Sequence, residues 1–415
     1  MIHSKNDPDF SKKGNSDGTH SEVIMISRKQ IQDGTRYSVA KFGAVNYVFA
    51  VAKGQCGWTL AEQAQDALQS IQKVFAAEGS SDSIIKLDVF LNCPDRTEEC
   101  YKLISDFFGD DQPAITIIPQ KPADGALLVI EAMGIVTEGA KSKIERRNAN
   151  VVIVKHDKMS FIHSGHCLPN VPSSQVYDRS AAALRKLEAA IGEGGVSYDH
   201  VVRTWLYLGD IVGPEGDTQR YKELNRARAD FYKDIRFGAG YVPEQIDWDI
   251  YPASTGIGAD GKEVTVSALA IDSPRSDVRL IPLENPNQTA AFDYRAHYSP
   301  KSPKFSRAMA VMAGSDCTIY ISGTASITDS ETRYIGDPQG QTNQTLDNIA
   351  ALISGDNLKR HGENNCRGAT LDSITVARIY VKIPEHYDAI REICEQRLPG
   401  VPKIYTVADV CRDDL

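Results

Sequence analysis

No stretch of the sequence approaches the roughly 18 consecutive apolar residues of a membrane-spanning helix, which argues against a transmembrane protein. The N-terminus, MIHSKNDPDFSKKGNSDGTHSE, has no apolar segment of the kind a secretory signal needs. It is also neither Arg-rich nor free of acidic residues, as a transit peptide would be. Residues 1–35 therefore read as a disordered polar tail, and the protein as cytoplasmic. Cys-x-x-Cys pairs are absent too. The eight cysteines, at 56, 93, 100, 167, 317, 366, 394 and 411, are too thinly spread for a disulfide scaffold, and none stands at zinc-ligand spacing. His163, His166 and Cys167 come nearest to a metal cluster, but the two histidines, three apart on a strand, point to opposite faces, so no metal is expected. There is no Gly-x-Gly-x-x-Gly opening a helix, no Gly-x-Ser-x-Gly elbow and no phosphate loop. Gly256-Ile-Gly258 and Gly192-Glu-Gly-Gly195 read as turns, and no cofactor is implied. A clustered basic face is missing as well. The net charge is −9, and the Lys/Arg-rich runs near Lys141–Arg147 and Arg220–Arg228 are interleaved with acids, which argues against a nucleic-acid partner.

What is present is an ordinary globular composition, 41% hydrophobic and 24% charged over 415 residues, enough for two or three domains. Its informative feature is an internal repeat of roughly 110–125 residues, the size of a small domain. Each copy opens with an apolar strand: Tyr47–Val51, Ser160–Gly165 and Cys317–Gly323. A helix follows, with apolar residues at helical spacing: Leu60, Ala64, Leu68, Ile71 and Phe75, then Leu184, Leu187 and Ile191, then Leu346, Ile349 and Ile353. Gly79, Gly192 and Gly355 suit left-handed helix ends. A β-branched strand comes next (83–91, 201–208, 374–381), and then a second amphipathic helix (99–108, 220–232, 387–398). Pro-Ala introduces a further strand at 113–114 and 252–253, and closing strands follow at 126–132 and 264–268. The third copy has Val401-Pro-Lys403 and a strand over 404–410, with no closing strand after it before Leu415.

This order predicts an α+β fold: three tandem units, each a small mixed sheet with two helices on one face. One such sheet leaves its other face bare, and three copies on one chain can cover one another as an intramolecular pseudo-trimer. The expected boundaries are 36–140 for unit 1, 148–272 for unit 2 and 305–415 for unit 3, with linkers near 136–148 and over 273–304.

These motifs resemble the RidA/YjgF (reactive-intermediate deaminase) superfamily over roughly residues 36–415. Within it, units 2 and 3 are most similar to the chorismatases, which hydrolyse chorismate and contain two such units. The residues that carry this likeness are Trp205-Leu-Tyr207, Arg220–Arg228, Tyr251–Gly258, Leu283–Gln288, Phe305–Ala308 and Ser322–Ile327. The resemblance implies a deaminase Arg after Pro-Ala, but Ile115 and Ser254 stand there, and Lys403 offers a point charge in place of a fork. The water-activating Glu of the closing strand is replaced by Val129 and Thr265. Imine deamination by the usual residues is therefore not expected.

Candidate site residues follow from the same likeness. Ser322, Gly323, Thr324 and Ser326 end a strand where hydroxyl and N–H groups can meet a carboxylate; the plainer reading is a turn bonded to itself. Thr255, Gly256 and Tyr221 are placed at the same cleft. Arg228 is the expected carboxylate ligand among Arg220, Arg226 and Arg228, the others pairing with neighbouring acids. Cys411 resembles the pocket cysteine of chorismatases and is the candidate catalytic residue. Glu331 and Asp337 suit turns and a helix N-terminus. The expectation is a chorismatase-like hydrolase or lyase acting on a small carboxylated enol ether, such as chorismate, between units 2 and 3. Its partner is a small anionic metabolite, and the protein is a monomer or homo-oligomer of pseudo-trimers. The alternative is a catalytically degenerate member that binds a carboxylate without turnover; imine deaminase and ribonuclease rank behind both.

Overall fold

Helical spacing of apolar residues and near-alternation in the strands both need a partner surface, and the chain supplies it three times. The computed structural model describes residues 26–415 apart from 56, 81, 138, 140, 149, 239, 294–300, 365 and 413. The first repeat runs β1 (Ile26–Gln30), β2 (Arg36–Phe42), β3 (Val45–Lys53), α1 (Leu60–Ala77), β4 (Ile84–Leu91), α2 (Thr97–Phe108), β5 (Ala114–Ile118), β6 (Lys121–Pro122) and β7 (Leu128–Val136). The second runs β8 (Ser142–Asn148), β9 (Val151–His156), β10 (Met159–Cys167), α3 (Val176–Glu193), β11 (Val201–Gly209), β12 (Pro214–Glu215), β13 (Thr218–Gln219), α4 (Arg220–Tyr232), β14 (Ala253–Ala259) and β15 (Val264–Asp272). The third runs β16 (Val278–Leu283), β17 (Ala308–Ala313), β18 (Asp316–Ile321), β19 (Ile327–Thr328), β20 (Glu331–Thr332), α5 (Pro338–Ile353), α6 (Gly355–Arg360), β21 (Ala377–Val381), α7 (Tyr387–Arg397) and β22 (Lys403–Val407).

The first two sheets share one topology. Their strand orders are β1-β2-β3-β7-β4-β5 and β8-β9-β10-β15-β11-β14. In each, the closing strand lies antiparallel between the third and fourth strands, and the fourth pairs in parallel with the strand after Pro-Ala. The third sheet is split into β16-β17-β18 and β21-β22-β6. Among the described residues no strand lies between β18 and β21, and unit 1 supplies β6 to the far edge of β22. Burial follows this difference. All eight residues of β4 are buried, whereas all six of β18 are only half-buried.

In the first two repeats the helices cover one face of the sheet. Leu60, Leu68, Ile71 and Phe75 of α1 pack on Val48, Leu87 and Ile130, and Leu184, Leu187 and Ile191 of α3 pack on Ile162, Leu206 and Val266. A capping box between Thr59 and Glu62 starts α1, and Gly79 (φ +91°) follows its end. The opposite sheet faces bury one another: Phe42 and Tyr47, Phe161 and Leu269, and Leu280 and Val311 form one shared core. Phe90, Tyr207 and Ile404 form a second, again drawing one residue from each repeat.

Several segments differ from expectation. Residues 26–30, assigned to the tail, form β1, and residues 31–35 turn from β1 into β2; residues 1–25 lie outside the described residues. Residues 142–148, in an expected linker, form β8, a charged strand with mostly exposed side chains that suits a sheet edge. The stretch 273–304 contains β16, whose Pro282 is tolerated because β16 is also an edge; residues 294–300 of that stretch lie outside the described residues. Gly192 is internal to α3 and Gly355 opens α6, where it packs against the Arg367 carbonyl; neither is a left-handed cap. Among the described residues no helix is long and apolar enough to cross a membrane.

Candidate active site

Helix α4 is built differently on its two faces. Leu224, Ala227 and Tyr232 are buried, but so is Arg228, at 1% exposure. Its guanidinium reaches Asn225 Oδ1 (2.6 Å) and Ser254 Oγ (3.3 Å), and the Phe305 ring lies 5.7 Å away. Its Nε has no hydrogen-bond partner, and among the described residues no carboxylate pairs with it. Taking a cation out of water without an anion is costly, so such a side chain is poised for an anionic ligand. Arg220 and Arg226, the rival arginines, are otherwise engaged. Arg220 ties Gly209 O, Lys262 O and Glu215 together, and Arg226 pairs with Glu223 at the surface.

Arg228 opens into a cavity of about 1230 Å³. Its walls include Tyr221, Ser254, Thr255 and Gly256 of unit 2 and Ser322, Gly323, Thr324, Ser326 and Cys411 of unit 3. The structure thus brings together every residue the sequence singled out for this cleft. The two walls are tied by backbone contacts: Gly323 N–H donates to Ser254 O (3.1 Å), and Ser254 N–H to Ser322 Oγ (2.8 Å). The hydroxyls of Ser322, Thr324 and Ser326 donate to Ser306 O (2.6 Å), Ser322 O (3.0 Å) and Arg333 O (3.2 Å), so they shape the loop. Gly256 lets the Tyr221 ring approach: an added Cβ would lie 3.2 Å from it. Cys411 sits in a segment held by Gly258 N–H to Asp409 O (2.8 Å) and by Lys382 to Arg412 O (2.8 Å). Burial pushes its thiol up, which keeps it protonated near neutrality. Asp337 caps α5 through Gly340 N–H (3.0 Å), and Glu331 sits on the short strand β20.

Sequence reasoning passed over Arg203. It is 5% exposed, donates to Thr255 Oγ1 (2.6 Å) and Thr204 O (2.8 Å), and stacks on Trp205 (4.6 Å). No carboxylate pairs with it among the described residues, and burial first, then the Arg378 charge, holds it down to about 9. It lines the same cavity, with Lys86, Asp88, Glu131, His163 and Arg378. There Arg378 of unit 3 forks onto Glu131 of unit 1 (2.7 and 2.8 Å), donates to Tyr207 of unit 2 (2.8 Å) and pairs with Asp88. Lys86 also pairs with Asp88. Burial would raise the Asp88 carboxyl, but the two cations hold it below its ordinary value. A signal for this network was present: each mid-repeat strand carries a cation amid apolar residues, in Ile84-Ile-Lys-Leu, Val201-Val-Arg-Thr and Ala377-Arg-Ile-Tyr.

His163 is buried with its Nε2 unpartnered, and burial, then Lys86, pulls it down to about 3. His166 Nδ1 instead receives Ile117 N–H (3.4 Å). No group of three or more metal-ligating side chains occurs among the described residues. Lys403 has turned away from ligand duty and pairs with Glu395 (3.2 Å).

The family model "Chorismatase FkbO/Hyg5-like, N-terminal" matches residues 138–270. A 3-hydroxybenzoate synthase of Streptomyces hygroscopicus is 31% identical over 271 residues, covering 63% of this chain and 75% of that protein. A chorismatase of Streptomyces rapamycinicus is 32% identical over 267 residues, with the same coverage of each. A crystal structure of chorismatase superposes with a TM-score of 0.62 over 90% of this chain and 97% of that one, at 21% identity, a likeness of fold.

Proposed function

The chain belongs to the chorismatase family, and from that premise we propose that its unit 2/unit 3 cleft binds chorismate and cleaves its enol ether to release pyruvate. The three units, 36–140, 148–272 and 305–415, are read as an intramolecular pseudo-trimer in which only this cleft is a working site. The observation that carries the reading is Arg228, a buried guanidinium aimed into a cavity with no carboxylate of its own. It would hold one substrate carboxylate by charge-assisted hydrogen bonds. Arg203 and Thr255, which line the same cavity, would hold a second anionic or hydroxyl group; Thr255 accepts from Arg203 and keeps its own hydrogen to donate. The Ser322–Ser326 loop and Gly256 shape the wall, Tyr221 covers it, and Cys411 contributes a neutral S–H. Hydrolysis adds water across the enol ether: the methylene carbon takes a proton, the water oxygen adds to the neighbouring ether carbon, the bond from that carbon to the ring oxygen breaks with the second water proton passing to the ring hydroxyl, and the three-carbon fragment leaves as pyruvate.

A second reading, binding without turnover, is favoured by one observation. The two unit 1 carboxylates that line the cavity, Asp88 and Glu131, are committed to Lys86 and Arg378, and neither stands free to protonate the substrate. Incubation of the protein with chorismate, followed by chromatography, decides between them. Pyruvate with a hydroxybenzoate or dihydroxy acid establishes the enzyme. Saturable calorimetric binding of chorismate with no product establishes the binding protein, and neither result removes both.

A further inference from the structure

The sheets of units 1 and 2 carry matching rows of paired residues. Across β10, β15 and β11 the row is His163, Leu269 and Arg203. Across β3, β7 and β4 it is Phe49, Met133 and Lys86. Directly paired residues point to one side of a sheet, so each row lies on one face. Leu269, Phe49 and Met133 pack into the core shared by the three units, which makes that face the inner one. Register therefore puts His163 where unit 1 has Phe49. In unit 3, Ile321 stands directly before Ser322 as His163 stands before Ser164. Two repeats fill this place with an apolar side chain, and unit 2 fills it with an imidazole.

His163 is 2% exposed, lines the cavity, and its Nε2 has no hydrogen-bond partner among the described residues. A buried nitrogen left unsatisfied is unfavourable, and an apolar ring would pack there without that cost. At the other end of the row Arg203 donates to Thr204 O (2.8 Å) and Thr255 Oγ1 (2.6 Å). A guanidinium has five N–H donors, so Arg203 keeps others for a ligand. Leu269 lies between the two and offers an apolar floor. Neighbouring strands stand about 5 Å apart, so the backbones carrying His163 and Arg203 are separated by about 10 Å. That gap suits a single ring with a polar group at each end.

We propose that His163 is a ligand-binding residue: its imidazole hydrogen-bonds a ring hydroxyl while Arg203 holds the carboxylate on the opposite side of the same ring. The proposal rests on the chorismate reading of the cavity and deepens it, because the chorismate ring bears its carboxylate and its hydroxyl on opposite carbons. A neutral imidazole carries one donor and one acceptor, and a hydroxyl can meet either. Burial keeps His163 uncharged near neutrality, so the contact selects a hydroxyl without drawing in a further carboxylate. Arg228 lies on the other side of the same sheet: it reaches Ser254, whereas Arg203 reaches Thr255, the next residue of β14. It is left for the second carboxylate of the ligand.

Calorimetry of the whole chain with two stable ring carboxylates, benzoate and 4-hydroxybenzoate, tests this without turnover. The wild-type chain should bind 4-hydroxybenzoate roughly tenfold tighter than benzoate, the worth of one buried hydrogen bond. His163→Phe, which imports the unit 1 residue, should bring the two affinities within about twofold. His163→Gln, which keeps a donor and an acceptor, should restore part of the preference. Equal affinities in the wild-type chain overturn the proposal without any variant, as does the absence of saturable binding by either compound. A preference that survives in His163→Phe overturns it too, and His163→Leu carries the same test if that variant fails to fold. The chorismate reading fails separately, when chorismate is neither bound nor converted although 4-hydroxybenzoate keeps its His163-dependent preference. Conversion of chorismate beside equal affinities for the two probes removes this proposal and leaves that reading standing.

Discussion

Two seams of this molecule are built from the same parts and end differently. Where unit 1 meets unit 2, the residue after Pro-Ala is Ile115 and the Ser-Gly strand end is Ser164-Gly165; where unit 2 meets unit 3, they are Ser254 and Ser322-Gly323. At the first seam Gly165 lies so close that an added Cβ would fall 2.3 Å from Ile115 O, and neither residue lines the large cavity. At the second the nearest atom to such a Cβ is 3.5 Å away, and the cavity opens there. The second helices differ in the same sense. Aligned on their Asp-Phe-aromatic ends, Ile104 of α2 occupies the place of Arg228 of α4. Two apolar side chains make a packed joint; an arginine and a serine in their places leave a buried cation that a ligand can satisfy. Duplication supplies the frame, and a pair of side chains decides whether a seam is structural or chemical.

The sharpest way to break this comparison is to remove the cation. Arg228→Met should lower chorismate turnover or affinity roughly 100-fold with the melting temperature unchanged or higher, because a buried charge without a partner anion does not stabilise the fold. Pyruvate release or calorimetry, read beside thermal denaturation, checks it. Importing the closed seam through Ser254→Ile should weaken ligand binding roughly tenfold and cost about 1–3 kcal/mol in urea unfolding, since Arg228 and Thr204 lose the Ser254 hydroxyl and the site is overfilled. The paired substitutions Gly165→Ala and Gly323→Ala should then separate the seams: the first destabilises by about 1–3 kcal/mol, the second by less than about 0.5.

Exchange kinetics sharpen a related contrast. Units 1 and 2 have a strand on each side of the closing strand, whereas among the described residues β18 pairs with β17 alone and β21 with β22 alone. Amide hydrogens of β18 and β21 should exchange at least about tenfold faster than those of β3 and β4, which hydrogen–deuterium exchange with mass spectrometry resolves.

A further effect is in pH. Burial holds His163 and His166 down to about 3 and 4 from an ordinary 6.5, so their contribution to stability is full above 6.5 and is lost as pH falls toward those values. Glu284, beside Arg307, is pushed by burial up to about 7 from 4.5; its contribution is full below 4.5 and is lost as pH rises through 7. His166→Asn should flatten the acid side of the stability profile, and Glu284→Gln the fall in stability as pH rises from 4.5 to 7. Urea titrations at a series of pH values read both.

Much of this was legible in one dimension. Helical spacing marked Leu60 to Phe75 and Tyr387 to Leu398, because a stripe that must face a sheet leaves a local periodicity. The family motif marked Arg228, Ser322–Ser326, Thr255, Gly256, Tyr221 and Cys411, and all of them line one cavity. The edge strands β8 and β16 were hidden because an edge needs no continuous apolar run, and charge or proline is tolerated there. Arg203 was hidden because burial of a strand cation depends on what covers the other face of its sheet.

Taken alone, the sequence determined the repeat, the order of elements and the residue types at each strand end, since these depend on contacts between near neighbours. Only the tertiary structure decided which seam closes on Ile115 and which opens on Arg228. It also decided that Lys86, Asp88, Glu131, Arg203 and Arg378, from four strands, share one interior. The reason is that desolvation and ion pairing depend on what lies across a seam, and residues hundreds of positions apart in the chain supply it.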